Sequence, residues 1–241
     1  MCERYVLPKQ DEAERELGPT ERWWKFSPSF NVTFPQYVPV VRQHQSSIEG
    51  IMMRWGLVPA LAEAVPLPDE KPTLPYEWLG QAPDTREAWL NSQRCILPMA
   101  GFYLWHLTER RYRQPYFVTV SDRSVFGVAA VWERSEGDDD DVLESFTILT
   151  VPANPLIERL DSSGPRMPAI LRRKDYSTWL SGTPVQAKSV LHTYPDEWMV
   201  AHPVSPKINS PRYNDITLIR PIAPPVSGAR ATENLRDAVG G

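Results

Sequence analysis

The sequence predicts a single α+β domain, built on a bent antiparallel sheet or open barrel with a few helices. Segments with the composition and alternation of strands outnumber those with helical periodicity. The 25 prolines are spread along the chain rather than gathered in one linker, so they mark turns and not a domain boundary. A chain of 241 residues, of which 41% are hydrophobic, can form one sizeable core. We therefore expect one domain over residues 1–220, followed by a small, polar and flexible tail over residues 221–241.

Six segments have the apolar, β-branched and aromatic composition of strands, and two others predict helices. Residues 85–92 follow Pro83 and Asp84, and Asp84 is a suitable N-cap for that helix. Residues 174–180 follow two arginines and form the second predicted helix. Prolines between residues 59 and 75 predict an irregular loop. The predicted strands cover residues 36–42, 51–57, 95–107, 116–120, 125–133 and 145–151.

The composition argues against several classes of function. No apolar run is long enough to span a membrane, and the first residues lack the apolar core of a secretory signal, so we expect a cytoplasmic protein. Two cysteines, Cys2 and Cys95, cannot form a disulfide framework. The four histidines lack the spacing of metal ligands, and the acidic run at residues 137–141 predicts a solvated hairpin tip. We expect neither a metal nor another cofactor, and with a net charge of -4 any nucleic acid would need a local basic groove.

Cys2 is the first candidate reactive residue. Methionine aminopeptidases remove Met1 when the second residue is small, which would leave an N-terminal 1,2-aminothiol here. Its α-amine has a reference pKa of about 7.7–8.0, so part of it is neutral near pH 7 and can attack an aldehyde. The thiol can then close on the imine to give a five-membered thiazolidine, with the high effective concentration of an intramolecular step. Taken alone, a cysteine at position 2 is better explained as a small buried residue.

Seven short blocks, in the right order, resemble the SOS-response-associated peptidase (SRAP) family of abasic-site processing proteins. The opening MCERY is similar to the family's Met-Cys-Gly-Arg-Tyr, and RWGLVP matches its Trp-Gly-Leu-x-Pro block. RCILP followed by GFY matches its Arg-Cys-Leu-x-Pro and Gly-Phe-Tyr run. Each block is weak by itself, but seven in order are a strong signal of the family and its fold. The blocks lie at residues 1–5, 31–42, 54–59, 94–103, 150–154, 166–171 and 204–215.

The resemblance implies an activity as well as a fold. In this family the N-terminal cysteine forms a thiazolidine with the ring-opened sugar aldehyde of an abasic site in single-stranded DNA. An Asn, a Glu and a His assist it. Members are also described as peptidases, because removal of whatever precedes the cysteine is thought to be autocatalytic. The resemblance therefore makes Cys2 the expected nucleophile and abasic single-stranded DNA the expected partner.

This chain departs from the family pattern at the three assisting positions. Leu104 stands where the family has the Glu of Gly-Phe-Tyr-Glu-Trp, and Gly164 stands where it has a His two residues before Arg-Met-Pro. Aligning the first predicted helix with the family's helix, which follows an Asn-Ala-Arg-x-Glu block, puts Thr73 at the Asn, Pro75 at the Arg and Glu77 at the Glu. General acid–base help is worth typically 10²–10⁴-fold per step, so we expect crosslinking that is slower but not abolished.

Other side chains are candidates to replace the lost groups. His106 follows Leu104 by two residues on the same predicted strand, so both side chains should face the same side. The commoner explanation of such a histidine is a satisfied residue in or at the rim of the core. Glu3 replaces the family's Gly after the cysteine, and its carboxylate would repel DNA phosphates and raise the pKa of the amine. Ser162 and Ser163 are further candidates.

Retained basic, polar and aromatic residues are the candidate DNA contacts. Phosphates need cations, and unpaired bases stack on flat apolar faces. Most of the nine tryptophans, including Trp55, are instead expected in the core. The candidate DNA contacts are Arg4, Arg54 and Arg166 for phosphates, Pro35 and Trp105 for bases, and the retained Asn31.

Three functions follow from these observations. The leading one is a divergent member that binds single-stranded DNA and crosslinks abasic sites through Cys2, which should then line a groove that also holds Arg166. Leu104 should face the Cys2 pocket, and no carboxylate such as Glu109 should reach the sulfur. The second is a DNA-binding or interaction protein that keeps the fold without covalent chemistry. The third is a cysteine hydrolase of another substrate, which would favour a Cys–His pair, and no histidine partner of Cys2 is evident.

Overall fold

Two sheets and five short helices make up the part of the chain that the computed structural model describes, which is residues 4–58, 71–81, 83–136, 142–161, 164–223 and 226–227. The helices are α1 (Gln10–Leu17), α2 (Pro83–Leu90), α3 (Pro155–Leu160), α4 (Tyr176–Ser181) and α5 (Pro184–Ser189). The strands are β1 (Arg4–Leu7), β2 (Glu21–Arg22), β3 (Ser29–Thr33), β4 (Tyr37–His44), β5 (Ser47–Trp55), β6 (Thr73–Pro75), β7 (Arg94–Met99), β8 (Gly101–Leu107), β9 (Arg113–Val120), β10 (Phe126–Glu136), β11 (Val142–Pro152), β12 (Arg166–Pro168), β13 (Met199–Pro203) and β14 (Val226–Ser227).

The first sheet has six strands in the order β14–β13–β9–β8–β1–β3, and all neighbours are antiparallel. β1 lies between β3 and β8, with Tyr5 opposite Val32 on one side and Phe102 on the other. Arg4, the first described residue, therefore enters an interior strand of the sheet and not an edge.

Five strands of the second sheet close into a barrel. β5, β4, β7, β10 and β11 pair antiparallel in that order. β5 then returns to β11 by parallel pairing of Arg54 with Ser145 and of Trp55 with Phe146. Closure is possible because the 11-residue β11 pairs with β10 along one edge and with β5 along the other. The predicted α+β class and barrel are confirmed, and the barrel is closed where an open one was expected.

The main hydrophobic core lies between the barrel and the first sheet. Tyr5 and Leu104 enter it from the first sheet, and Trp55 enters it from the barrel. Trp55 is fully buried, and its ring meets that of Tyr5 edge-on with a centroid distance of 5.4 Å. The prediction that Trp55 is a core residue is confirmed. On the opposite face of the first sheet, Val6 and Tyr103 pack into a second, smaller cluster.

The single strand predicted over residues 95–107 is wrong, because the chain changes sheet in the middle of it. β7 ends at Met99, the Ala100 N–H bonds to the carbonyl of Val6, and β8 begins at Gly101 in the other sheet. Both strands are apolar, so composition does not mark the break.

The loop predicted over residues 59–75 also needs correction. Its last three residues form β6, which pairs with β11, and residues 59–70 lie outside the described residues.

Both predicted helices are confirmed with shifted ends, as α2 and as α4 after a single 3₁₀ turn at Arg173–Asp175. The helices α1, α3 and α5 were not predicted. α1 has the polar sequence QDEAEREL and buries only Ala13 and Leu17, so its apolar periodicity is faint. The acidic run at residues 137–141 lies outside the described residues. β14 lies beyond residue 220, where the sequence led us to expect a tail. No helix within the described ranges is long and apolar enough to cross a membrane.

Candidate functional site

The described chain begins at Arg4, so the candidate nucleophile Cys2 and its neighbour Glu3 lie outside the described residues, as do Ser162 and Ser163. That Cys2 shares a groove with Arg166 therefore stays a prediction. Four of the remaining candidates, Arg4, Asn31, Trp105 and Arg166, fall into two groups, which we call the Asn31 cluster and the Arg166 cluster.

The Asn31 cluster joins the beginning of the chain to a segment near its end. Asn31 is 6% exposed, and its Oδ1 accepts a hydrogen bond of 2.6 Å from Nη1 of Arg4. Its Nδ2 donates to the carbonyls of Ser210 and Tyr213 at 3.1 and 2.9 Å, and it lies 3.4 Å from that of Ile208. A buried amide needs such partners on both sides. Their effect here is to fix the Arg4 guanidinium beside the 208–213 segment.

Trp105 belongs to the same cluster. Its indole N–H donates to Oδ1 of Asn209 at 2.8 Å, and Nη2 of Arg4 lies 3.4 Å from the carbonyl oxygen of Asn209. Trp105 and Arg4 are both partly exposed. A guanidinium and a partly exposed indole thus meet at one residue, and these are the two kinds of group that bind a phosphate and an unpaired base. Sequence reasoning did not single out Asn209, although it lies in a block that carries the family resemblance.

Tyr103 supports this cluster from below. Burial raises the pKa of its phenol, and the charge of Arg4 opposes that rise. The hydroxyl therefore stays protonated at neutral pH and donates to the carbonyl of Phe30 at 2.8 Å. Tyr103 thus has a structural role near Arg4, because its hydroxyl donates a hydrogen bond to the backbone of β3.

Leu104 is 2% exposed and lies in the main core. His106 follows two residues later on the same strand and is half-buried. Its ring meets that of Tyr116 edge-on with a centroid distance of 6.2 Å, and Tyr116 is paired with Leu104 across the sheet. The buried Nδ1 of His106 has no hydrogen-bond partner among the described residues. Glu109 is exposed in the turn after β8. Whether any carboxylate reaches the sulfur stays a prediction, because Cys2 is not described.

The Arg166 cluster is an ion pair supported by the strand below it. Nη1 and Nη2 of Arg166 donate to the two carboxylate oxygens of Glu77 at 3.2 and 2.7 Å. Nε donates to Oγ1 of Thr150 at 2.9 Å, and Nη2 also donates to the Thr150 carbonyl at 2.7 Å. The pairing of β6 with β11 and of β12 with β11 places all three residues together, because Thr150 lies opposite both Pro75 and Pro168.

Arg166 keeps Glu77 ionised against the effect of burial. Burial alone would raise the pKa of Glu77, but the hydrogen bonds and charge of Arg166 outweigh it and hold that pKa below its usual value, with a smaller contribution from Lys188. The Glu77 side chain is 42% exposed and that of Arg166 is 19% exposed. Glu77 is therefore a carboxylate at neutral pH, and solvent screens the pair.

The other candidates take up scattered positions around these clusters. Thr73 is half-buried on β6, opposite Ile148. Gly164 accepts a hydrogen bond of 2.9 Å from the backbone N–H of Arg166. Arg54 is half-buried, and its Nη1 donates to the carbonyl of Gly56 at 3.0 Å. Pro35 is exposed between β3 and β4.

The two clusters lie on different sheets, and α3 packs against one strand from each sheet. α3 contacts β8, which carries Leu104 and Trp105, and it also contacts β12, which begins at Arg166. Among the described residues, no group of three or more His, Cys, Asp and Glu side chains could hold a metal ion. Cys95 is fully buried, and burial raises the pKa of its thiol well above the usual range, against the opposing charge of Arg42. Cys95 is therefore not a competing nucleophile.

Comparison with protein families gives one match that spans most of the chain. The family described as SOS response associated peptidase (SRAP) matches residues 1–211. That range begins at residue 1 and contains the Arg166 cluster and, except for Tyr213, the Asn31 cluster.

Two named relatives align with most of this chain. The chain is 29% identical over 225 residues to "Abasic site processing protein YoqW" of Bacillus subtilis (strain 168), which covers 91% of this chain and 99% of the relative. It is 27% identical over 235 residues to "Abasic site processing protein HMCES" of Mus musculus, with 82% of this chain and 66% of the relative covered. Both relatives are named for abasic-site processing.

Solved structures share the fold. An X-ray structure of a Bacteroides thetaiotaomicron protein superposes with a TM-score of 0.78 at 22% identity and covers 92% of this chain and 100% of that protein. A Bordetella bronchiseptica protein gives a TM-score of 0.73 at 23% identity, with 85% of this chain and 100% of that protein covered. At these identities the similarity is one of fold.

Proposed function

Because the chain belongs to the SOS response associated peptidase (SRAP) family, we propose that it binds single-stranded DNA and processes abasic sites by a covalent link to Cys2 after loss of Met1. The observation that carries this proposal is the family match, which begins at residue 1 and so includes Cys2. The names of the relatives, which refer to abasic-site processing, support the same substrate class.

The proposed reaction joins the mature N-terminus to the sugar aldehyde. The neutral α-amine of Cys2 adds to the C1′ aldehyde of the ring-opened abasic sugar, and loss of one water gives an imine. The thiol then adds to the imine carbon and its proton passes to the nitrogen, which closes the thiazolidine. One water leaves in total, and no oxidant or cofactor is consumed. Both nucleophiles come from the same residue, so the step is intramolecular once the imine has formed.

The described residues support DNA binding next to that nucleophile. Arg4 lies two residues from Cys2 and is fixed by Asn31, with Trp105 beside it. Arg166 lies on the strand that follows Gly164, the position at which the resemblance places the family's His. Arg54 and Pro35 remain proposed as further contacts with the DNA strand.

Catalysis in this chain is proposed to be weaker than in members that keep the assisting groups. Leu104, Gly164 and Thr73 stand at the positions of the family's Glu, His and Asn, and none of these three can act as a general acid or base near neutral pH. His106 and Glu3 are the proposed substitutes. The unpartnered Nδ1 of His106 is the observation that favours it, because a buried ring nitrogen normally has a partner.

The proposal predicts a covalent adduct that depends on Cys2. Protein with verified removal of Met1 is incubated with abasic and intact single-stranded oligonucleotides, and the products are resolved on a denaturing gel. A shifted band should form with abasic DNA only, and more slowly than for relatives that keep the Glu and His. Cys2→Ala should abolish the band and leave non-covalent binding largely unchanged, and His106→Gln should slow band formation further.

The alternatives give different outcomes in the same assay. A protein that binds DNA but forms no band after long incubation is the binding-only protein, and the burial of Leu104 where the family has an acid is the observation that favours this reading. If the protein neither binds DNA nor reacts with it, the result favours hydrolysis of another substrate by Cys2.

A further inference from the structure

The turn at Tyr76–Trp78 brings a carboxylate onto the guanidinium that the proposed function assigns to a phosphate. β6 ends at Pro75, opposite Thr150, and Glu77 follows on the turn. Arg166 begins β12 on the other side of β11. Side chains from both neighbours of β11 thus meet over Thr150, and Glu77 binds Arg166 with both oxygens.

Four of the five N–H groups of Arg166 are used in this arrangement. Nε and one hydrogen of Nη2 bind Thr150, and one hydrogen each of Nη1 and Nη2 binds Glu77. The remaining hydrogen, on Nη1, has no hydrogen-bond partner among the described residues. A guanidinium has only these five donors, in a fixed planar fork. Arg166 can therefore offer a phosphate one donor while Glu77 is bound, and more than one only if Glu77 leaves.

A carboxylate and a phosphodiester compete for the same edge of a guanidinium. Both present two oxygens at the spacing of the Arg fork, and both accept two parallel charge-assisted hydrogen bonds. The bonds to Thr150 fix the orientation of Arg166, so the edge that faces Glu77 is the one left for a ligand.

We propose that Glu77 is a built-in competitor for DNA phosphate at Arg166, which limits the non-covalent affinity of the site for undamaged single-stranded DNA. The proposal rests on the proposed function, because it takes Arg166 as a phosphate contact. An abasic site can still be captured under this limit, since its covalent bond does not depend on tight prior binding. An intact strand has only the electrostatic contacts and is released.

Lys188 makes displacement of Glu77 easier. It is a second cation close enough to act on Glu77, and its Nζ lies 6.0 Å from the centre of the neighbouring Tyr76 ring. Glu77 therefore keeps a cationic neighbour when a phosphate takes Arg166. The 42% exposure of Glu77 also lets water solvate the released carboxylate.

The test is a binding measurement on an intact single-stranded oligonucleotide, which isolates non-covalent affinity from the chemistry of Cys2. An exposed ion pair is worth little, so Glu77→Gln should tighten binding by about two- to fivefold. One further phosphate contact should also steepen the log–log salt dependence by about 0.7. Arg166→Gln should weaken binding, and adding Glu77→Gln to it should give no gain, because the competitor then has nothing to compete for.

Glu87→Gln on α2 is the matched control, because it removes the same charge from an exposed position with no described bond to Arg166. It should leave affinity unchanged. If Glu77→Gln binds as the wild type does or more weakly, with an unchanged melting temperature, the competitor proposal is overturned while the proposed function stands. If that variant melts early, Glu77→Ala is measured in its place. An Arg166→Gln variant with wild-type affinity also overturns the proposal. Absence of binding by the wild type to intact and abasic strands at low salt would instead defeat the proposed function.

Discussion

Asn31 is committed on both sides of its amide, to the Arg4 guanidinium and to backbone carbonyls near the end of the chain. Its proposed role in DNA binding is therefore expected to pass through Arg4, which it orients, because a side chain 6% exposed offers little surface to a ligand. The sequence pattern identified Asn31 as a retained residue. Only the structure identifies the carbonyls that bind it, because they lie 179 and 182 positions away in the chain.

Leu104→Glu tests whether the lost acid can be restored at its old position. Leu104 is 2% exposed in an apolar core, so the new carboxyl would be desolvated, and its pKa should rise. We expect the free energy of unfolding to fall by about 2–4 kcal/mol at pH 7. Because the pKa is raised in the folded state, the loss should shrink as the pH falls towards the ordinary pKa of Glu. Urea unfolding at pH 7 and pH 5 measures both effects.

Leu104→Met is the matched control for that substitution. It keeps the volume and the apolar character of the side chain and should cost less than about 1.5 kcal/mol at either pH. A Leu104→Glu protein as stable as the wild type at pH 7 would mean that the site is wetter than its burial indicates. Faster adduct formation by the Leu104→Glu variant would then support the proposal that catalysis is weakened because Leu104 replaces the family's Glu.

At the scale of elements, the strands β1, β8 and β9 form the frame on which Arg4 and Trp105 are held. β1 pairs with β8, with Val6 opposite Gly101, and β8 pairs with β9. Gly101 begins β8 directly after the chain has left the barrel. A Cβ atom at this glycine would overlap the ring of Phe117 and lie 2.7 Å from the carbonyl oxygen of Val118. The close approach of β9 therefore depends on the missing side chain.

Gly101→Ala should destabilise the protein by about 2–3 kcal/mol, since a well-packed core cannot absorb an added methyl group without moving the backbone. Chemical unfolding measures this change. Gly18→Ala is the control, because the space around Gly18 is open and only its left-handed φ of 61° is unfavourable to alanine. It should cost about 1 kcal/mol. Equal effects of the two substitutions would contradict the packing argument at β8.

At the scale of the whole molecule, the net charge of -4 is unfavourable for a DNA-binding protein. The proposed binding must then depend on a few local arginines, because the overall charge of the protein repels DNA. Arg4 and Arg166 lie on strands of different sheets, and α3 contacts β8 and β12. Arg4 and Arg166 thus supply local positive charge at the candidate site in a chain whose net charge is negative.

The affinity for single-stranded DNA should consequently fall as the salt concentration rises, and the log–log slope should be small because few phosphates are contacted. Two phosphates, one each at Arg4 and Arg54, predict a log–log slope of about -1.4, at about 0.7 per phosphate on a single strand, and Arg166, for which Glu77 competes, brings the slope to about -2 at most. Titration of a labelled oligonucleotide between low and physiological salt measures the slope. Arg86→Gln on α2 removes an exposed charge outside the site and should leave the slope unchanged. A slope near zero would exclude these phosphate contacts.

The long apolar strands were predictable, because their composition indicates a strand regardless of which elements they pack against. β4, β5, β9, β10 and β11 all overlap predicted segments. The short elements were not, because β1 and β3 have only four and five residues and gain their stability from their neighbours in the sheet. The break between β7 and β8 was not predicted either, because an apolar segment does not indicate which sheet it joins.

The sequence by itself determined the α+β class, the family resemblance, the identity of Cys2 as candidate nucleophile and the three substituted positions Thr73, Leu104 and Gly164, because each of these depends on residue type and order. The tertiary structure alone decided that the barrel is closed and that Asn31 clamps Arg4. It also decided that Glu77 occupies the fork of Arg166, 89 positions away. Such contacts are fixed by sheet register and by which strands are neighbours. The choice of neighbouring strands is set by the packing of the whole chain, and register depends on turn geometry and on which face of each strand is buried.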